Sequence, residues 1–173
     1  MQAPETTSKY GKAFTLIAWL LLLGMLFLFF QSYIARQQNP NQALTSSQGQ
    51  QGEIVTVLTR NRAGHYVGTA LVNNQPADFM LDTGATTVAV TAAAAERLNL
   101  PRGQPMQVST ANGMTIAYRS RIRQLQLGDI ILTDVPASIV PNISGSEILL
   151  GMSALKQLEF RQQGNQLTLI QHN

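Results

Sequence analysis

From Ala13 to Phe30 the chain reads AFTLIAWLLLLGMLFLFF, and no charge appears before Arg36. The run is apolar on every side rather than along one stripe, which a surface helix of a globular domain does not show. At 1.5 Å per residue, about 20 such residues cross a hydrocarbon core of about 30 Å. The pattern predicts a transmembrane helix over 13–35 and a short tail over 1–12. A secretory signal has a shorter apolar stretch and a small-residue cleavage site, and QSYIARQ offers none. Lys9, Lys12 and the terminal amine precede the segment, while Arg36 alone follows it closely. That asymmetry predicts a single-pass protein of the inner (cell) membrane, with a cytoplasmic N-terminus and the remaining chain on the periplasmic side.

After the apolar run the pattern changes twice. Residues 37–52 read QQNPNQALTSSQGQQG, polar and almost uncharged. Such a stretch buries too little apolar surface to order itself, so a flexible linker is expected over 36–52. From Glu53 onward short β-branched runs alternate with turn residues. IVTVLT (54–59) and HYVGTALVN (65–73) flank Asn61–Gly64 as a hairpin. ADFMLD (77–82) follows the turn at Asn73, Asn74 and Pro76. Thr91 caps a short helix, AAAAERLNL, ended by Pro101. MQVST (106–110) and MTIAYRSRIRQLQL (114–127) flank Ala111-Asn112-Gly113, a strong hairpin signal. Gly128-Asp129 turns into IILTDVPASIV, SALKQL (153–158) reads as a short helix, and EFRQQ and QLTLIQ flank Gly164-Asn165. Residues 53–173 thus form a mainly β domain with one or two short helices. Arg119, Arg121 and Arg123 alternate along one strand and read as its solvated side, with a docking face as the second reading. His65 reads as a surface residue.

Composition narrows the chemistry. The 173 residues are 45% hydrophobic and 12% charged, unlike a disordered chain. There is no cysteine, which excludes disulfides, thiolate metal sites and cysteine nucleophiles. The two histidines, His65 and His172, argue against a multi-histidine metal site or a Ser-His-Asp triad. The formal charge of +3 is spread thinly: +2 before Glu53 and +1 after it. No basic footprint for nucleic acid remains.

The candidate chemistry begins at Phe79-Met80-Leu81-Asp82-Thr83-Gly84-Ala85. Alone, this is a strand ending in an acidic turn. Some 65 residues later comes Glu147-Ile148-Leu149-Leu150-Gly151-Met152, ahead of a short helix. The two motifs in this order resemble the retropepsin-like aspartic proteases (clan AA), and more closely their bacterial single-pass membrane-anchored members. The resemblance runs from about Ile54 to Ile170. It implies a closed, single-lobe acid-protease β domain acting as an aspartic endopeptidase on peptide or protein substrates. It implies Asp82 as the catalytic acid/base and Thr83, Gly84 and Ala85 as the active-site loop. Ala111, Asn112 and Gly113 would tip a flap, and Leu149, Leu150 and Gly151 would support the loop from behind. No metal or organic cofactor is implied, because paired carboxyl groups activate water directly.

Counting decides the assembly this implies. The chain has four aspartates, Asp78, Asp82, Asp129 and Asp134, and one Asp-Thr-Gly. A shared-proton mechanism then takes its second carboxyl from another copy, in a homodimer joined through the catalytic loop. In the family, the threonine of the motif bonds across the two halves. Retroviral members also carry an aspartate soon after the motif and an arginine after the late glycine. Here Thr86, Thr87, Met152 and Ser153 stand in those places. A reading from a different class is a peptide-binding or envelope-assembly scaffold that does not cut.

Overall fold

The computed structural model describes residues 5–110, 113–141 and 147–172. The chain divides into two units, with the boundary after Gln37. In the first, α1 (Glu5–Gln38) is one continuous helix of 34 residues. From Gly11 it is long and apolar enough to cross a membrane, and its apolar window is not buried.

The second unit is built from strands. β1 (Ser46–Gln48), β2 (Ile54–Thr59), β10 (Glu159–Gln163) and β11 (Gln166–Gln171) form a four-stranded antiparallel sheet in the order β1-β2-β11-β10. A seven-stranded sheet contains β3 (Val67–Val72), β4 (Gln75–Leu81), β5 (Val88–Thr91), β6 (Pro105–Thr110), β7 (Gly113–Leu127), β8 (Ile130–Val140) and β9 (Ile148–Leu150). Its order is β3-β4-β9-β5-β8-β7-β6, and β3 also pairs with β7 through Leu71↔Gln126 and Val72↔Leu125. That extra pairing closes six strands into a ring, with β6 appended to β7. The interior is filled by residues such as Phe79, Val88, Ile122, Val135, Ile148, Leu150 and Leu155, all fully buried. At about 25 cal/mol per Å² of apolar surface, burial of this set is the main stabilising term.

Two short helices sit among the strands. In α2 (Ala92–Arg97), Thr91 accepts from the Ala94 N–H at 3.1 Å, which supplies the expected cap. α3 (Met152–Leu155) is one turn, and residues to Leu158 continue it as tight turns. Arg119, Arg121 and Arg123 are exposed, as a solvated strand side requires, and Arg121 pairs with Asp134.

The expected linker over 36–52 is corrected in part. α1 extends to Gln38, and Asn39 and Asn41 are buried on the β unit. The Asn41 side chain bonds like a short strand. Its Nδ2 donates to Thr59 O at 2.9 Å and Val67 O at 2.6 Å, and its Oδ1 accepts from the Thr59 N–H at 2.7 Å. Asn39 Nδ2 donates to Thr69 Oγ1 and Asp78 Oδ1, at 3.0 and 3.2 Å. β1 then pairs with the first half of β2. A polar segment lacks a hydrophobic reason to order, but a side-chain amide satisfies backbone groups that burial would otherwise orphan. Asn41→Ala is expected to lower stability by about 2–3 kcal/mol, because it leaves buried backbone groups unpaired. Denaturant unfolding of the full chain in detergent checks this.

Candidate active site

β4 carries the apolar run into Asp82, and β9 builds the support beside it. β9 is inserted between two strands that are consecutive in the chain. It lies parallel to β4 (Phe79↔Ile148, Met80↔Leu149, Leu81↔Leu150) and antiparallel to β5 (Ala89↔Leu149). Its register carries over into the loop, where the Asp82 N–H donates to Leu150 O at 3.1 Å. On the other side of β4, the Leu81 N–H donates to Tyr66 O at 2.9 Å. The backbone that presents Asp82 is therefore gripped from both flanks.

The loop then folds on itself. The Gly84 N–H donates to Asp82 Oδ1 at 2.9 Å and aims the carboxylate. The Ala85 N–H donates to Asp82 O at 3.3 Å, and Ala85 O accepts from the Met152 N–H at 2.8 Å. Gly151 is where β9 meets this loop. A Cβ there would lie within 2.6 Å of Ala85 O and closer still to Thr87 O, so only glycine fits. Leu150 and Gly151 are buried and Leu149 is half-buried. Asp82 and Ala85 are half-buried, whereas Thr83 and Gly84 are exposed.

The places where charged residues are absent hold a hydroxyl network. Ser153 Oγ accepts from the Val88 N–H at 2.9 Å and donates to Pro136 O at 2.7 Å. Thr87 Oγ1 and Ser138 Oγ lie 3.0 Å apart. These neutral groups tie the end of the loop to β8 and α3 without an ion pair. Losing both members of a buried pair together is nearly neutral.

Of the expected flap tip, Gly113 is described, with φ of +102°. Ala111 and Asn112 lie outside the described residues. β6 and β7 pair from Pro105↔Tyr118 to Thr110↔Gly113, and Thr110 Oγ1 donates to Gly113 O at 2.8 Å. Met114 and Ile116 on this hairpin are exposed at 68% and 54%. They line a cavity of about 410 Å³ with Gln107, Thr115, Tyr118 and Pro141.

One support was not legible in the motifs. Arg97 of α2 forks onto both oxygens of Glu147 at 2.8 and 2.7 Å and also donates to Pro76 O. Glu147 in turn accepts from the Asp78 N–H at 3.2 Å. This pair ties α2, β4 and the entry to β9. Both side chains are about 40% exposed, so its role is register more than stability. The only sequence signal was an acid immediately before the second apolar run. Among the described residues no cluster of three or more His, Cys, Asp or Glu is placed to hold a metal.

A closed β domain in which an apolar strand plus glycine is threaded behind an Asp-Thr-Gly loop is the architecture of a retropepsin-like aspartic protease. The family model for the gag-polyprotein putative aspartyl protease matches residues 68–157, and the chain belongs to that family. It is similar to a retropepsin-like aspartic protease from Rickettsia conorii at 25% identity and a TM-score of 0.58, over 75% of this chain and 94% of that one. It is also similar to the EIAV protease complexed with the inhibitor HBY-793, at 22% identity and a TM-score of 0.44, over 57% and 92% of the two chains. An uncharacterized protein in the cobV 5′ region of Sinorhizobium sp is 32% identical over 122 residues, covering 69% of this chain. The match spans about half of that relative's length, 51%.

Proposed function

We propose that the protein is an aspartic endopeptidase in which Asp82 of two chains forms the catalytic dyad. The observation that carries this is the aimed, half-buried Asp82 carboxylate on a loop whose Thr83 and Gly84 are exposed among the described residues. Two such loops meeting about a two-fold axis bring two identical carboxyl groups together, and close carboxylates hold one proton between them. The ionised Asp82 takes a proton from water as the oxygen attacks the scissile carbonyl. The protonated Asp82 of the other chain donates to the carbonyl oxygen as charge develops there. Thr83 contributes a hydroxyl to the contact between loops, and Leu149, Leu150 and Gly151 hold each loop from behind.

The β6–β7 hairpin acts as the flap. It closes over an extended peptide, offers it backbone hydrogen bonds, and excludes water from the reaction. α1 serves as the single membrane anchor, with the N-terminal tail in the cytoplasm and the protease domain on the periplasmic side of the inner membrane. Confinement to two dimensions raises the effective concentration of chains and favours pairing.

The test is digestion of an unfolded protein over a series of buffers from about pH 3 to 7. The purified full chain is compared with its Asp82→Asn variant by mass spectrometry. Products made only by the wild type support the reading, and identical products from both contradict it.

A further inference from the structure

The β2–β3 loop, Arg60 to Tyr66, holds polar groups that the proposed mechanism does not use. Tyr66 is 7% exposed, and its buried hydroxyl has no hydrogen-bond partner among the described residues. Arg60 lies with Cζ 5.4 Å from the Tyr66 ring centroid, a cation over an aromatic face. Its Nε is buried and likewise without a partner. No ion pair of Arg60 is found among the described residues. Buried donors without acceptors are rare enough in native structures to require a reason.

The loop is also held in place. The Asn61 side chain accepts from the His65 N–H at 2.9 Å and donates to Gln38 O at 3.0 Å, and the Asn61 N–H donates to His65 O at 2.8 Å. Asn41 bonds to Thr59 O and Val67 O, the residues flanking the loop at its base. The loop lies beside the candidate dyad. The β3–β4 register, Val67↔Met80, is continued one step by the Leu81 N–H on Tyr66 O, and Asp82 is the next residue.

We infer that Arg60, backed by Tyr66, is a carboxylate subsite that selects peptide substrates with an acidic side chain near the scissile bond. This rests on the protease reading above. A guanidinium presents a planar set of N–H donors that matches a carboxylate, and the cation–π contact with the Tyr66 ring holds it in place before the ligand arrives. Most of the chain's own described acids have other partners. Asp78, Asp134, Glu147 and Glu159 have side-chain partners, Glu53 and Asp82 accept from the Gln51 and Gly84 N–H groups, and none of these bonds is to Arg60.

The experiment uses C-terminally amidated peptides in pairs, with Glu or Gln placed at each position around a cleaved bond. The wild-type full chain is assayed for kcat/KM. The Asp82→Asn chain is assayed for Kd by fluorescence anisotropy, so that the preference is read even without turnover. The Glu peptide is expected to be favoured by about tenfold at one position, the size of one charge-assisted contact. In Arg60→Gln, placed in both backgrounds, the ratio falls to near one, and Arg60→Lys restores part of it. A wild-type ratio near one at every position, or a ratio that survives Arg60→Gln, overturns the inference. So does dissociation of the dimer in Arg60→Gln with the ratio intact, which assigns Arg60 to the contact between copies. Absence of cleavage by the wild type contradicts the protease reading, while the Kd ratio still decides the subsite.

Discussion

Asp82→Asn is expected to abolish peptide hydrolysis while leaving the fold in place. An amide has nearly the shape of the carboxylate and still offers an oxygen to the Gly84 N–H that aims it. What it lacks is the ability to take a proton from water and return it. General acid–base catalysis contributes on the order of 10² to 10⁴ in rate, and loss of both roles in a symmetric pair removes essentially all of it. The melting temperature of the variant, measured in the same detergent, is expected within a few degrees of wild type. Undiminished hydrolysis by a folded Asp82→Asn chain ends the catalytic assignment.

Gly151→Ala carries the largest expected effect on stability. The new methyl group meets two backbone carbonyls, Ala85 O and Thr87 O, rather than the end of a flexible side chain. Backbone oxygens cannot rotate aside, and the loop they belong to is also bonded to Met152 and, through Val88, to Ser153. Relief requires moving the Asp82 loop or β9. We expect a loss of about 3 kcal/mol or more, a large share of the ~5–15 kcal/mol that holds a typical domain together. Thermal unfolding should fall by roughly 10 °C, with activity lost even below the transition. The same change at Gly64, where a Cβ meets nothing within 4 Å and the strain is confined to a φ of +89°, serves as the control.

The sequence made the strands legible where local rules act alone. β-branched runs, Asn-Gly and Gly-Asn turns, and the Thr91 cap each report a structure made within a few residues. The two motifs were legible only as an ordered pair, since an acid or glycine at a strand end is by itself an ordinary turn signal. What could not be read depends on partners far along the chain. β9 is a three-residue run, too short for any period, and its place between β4 and β5 follows only from closing the sheet around Phe79, Ile148 and Leu150. Asn39 and Asn41 look like linker because their composition is polar. Asn41 is ordered by backbone groups of Thr59 and Val67, and Asn39 by the side chains of Thr69 and Asp78, some 18 to 39 residues away. The contact of Arg60 with Tyr66 crosses a turn, and neither residue type signals it. Thr87 and Ser153 stood out only as departures from a charged pattern, and their partners, Ser138 for Thr87 and the backbone of Val88 and Pro136 for Ser153, lie 51, 65 and 17 residues away.

The central claim is that one active unit contains two Asp82 side chains from two chains. Mixing equal amounts of wild-type and Asp82→Asn chains, unfolded together and refolded to randomise pairing, tests it directly. Random association leaves about one quarter of the dimers with two wild-type chains, so specific activity per total chain should fall to about one quarter of the wild-type value. A fall to one half, the simple dilution expected if each chain works alone, contradicts the account.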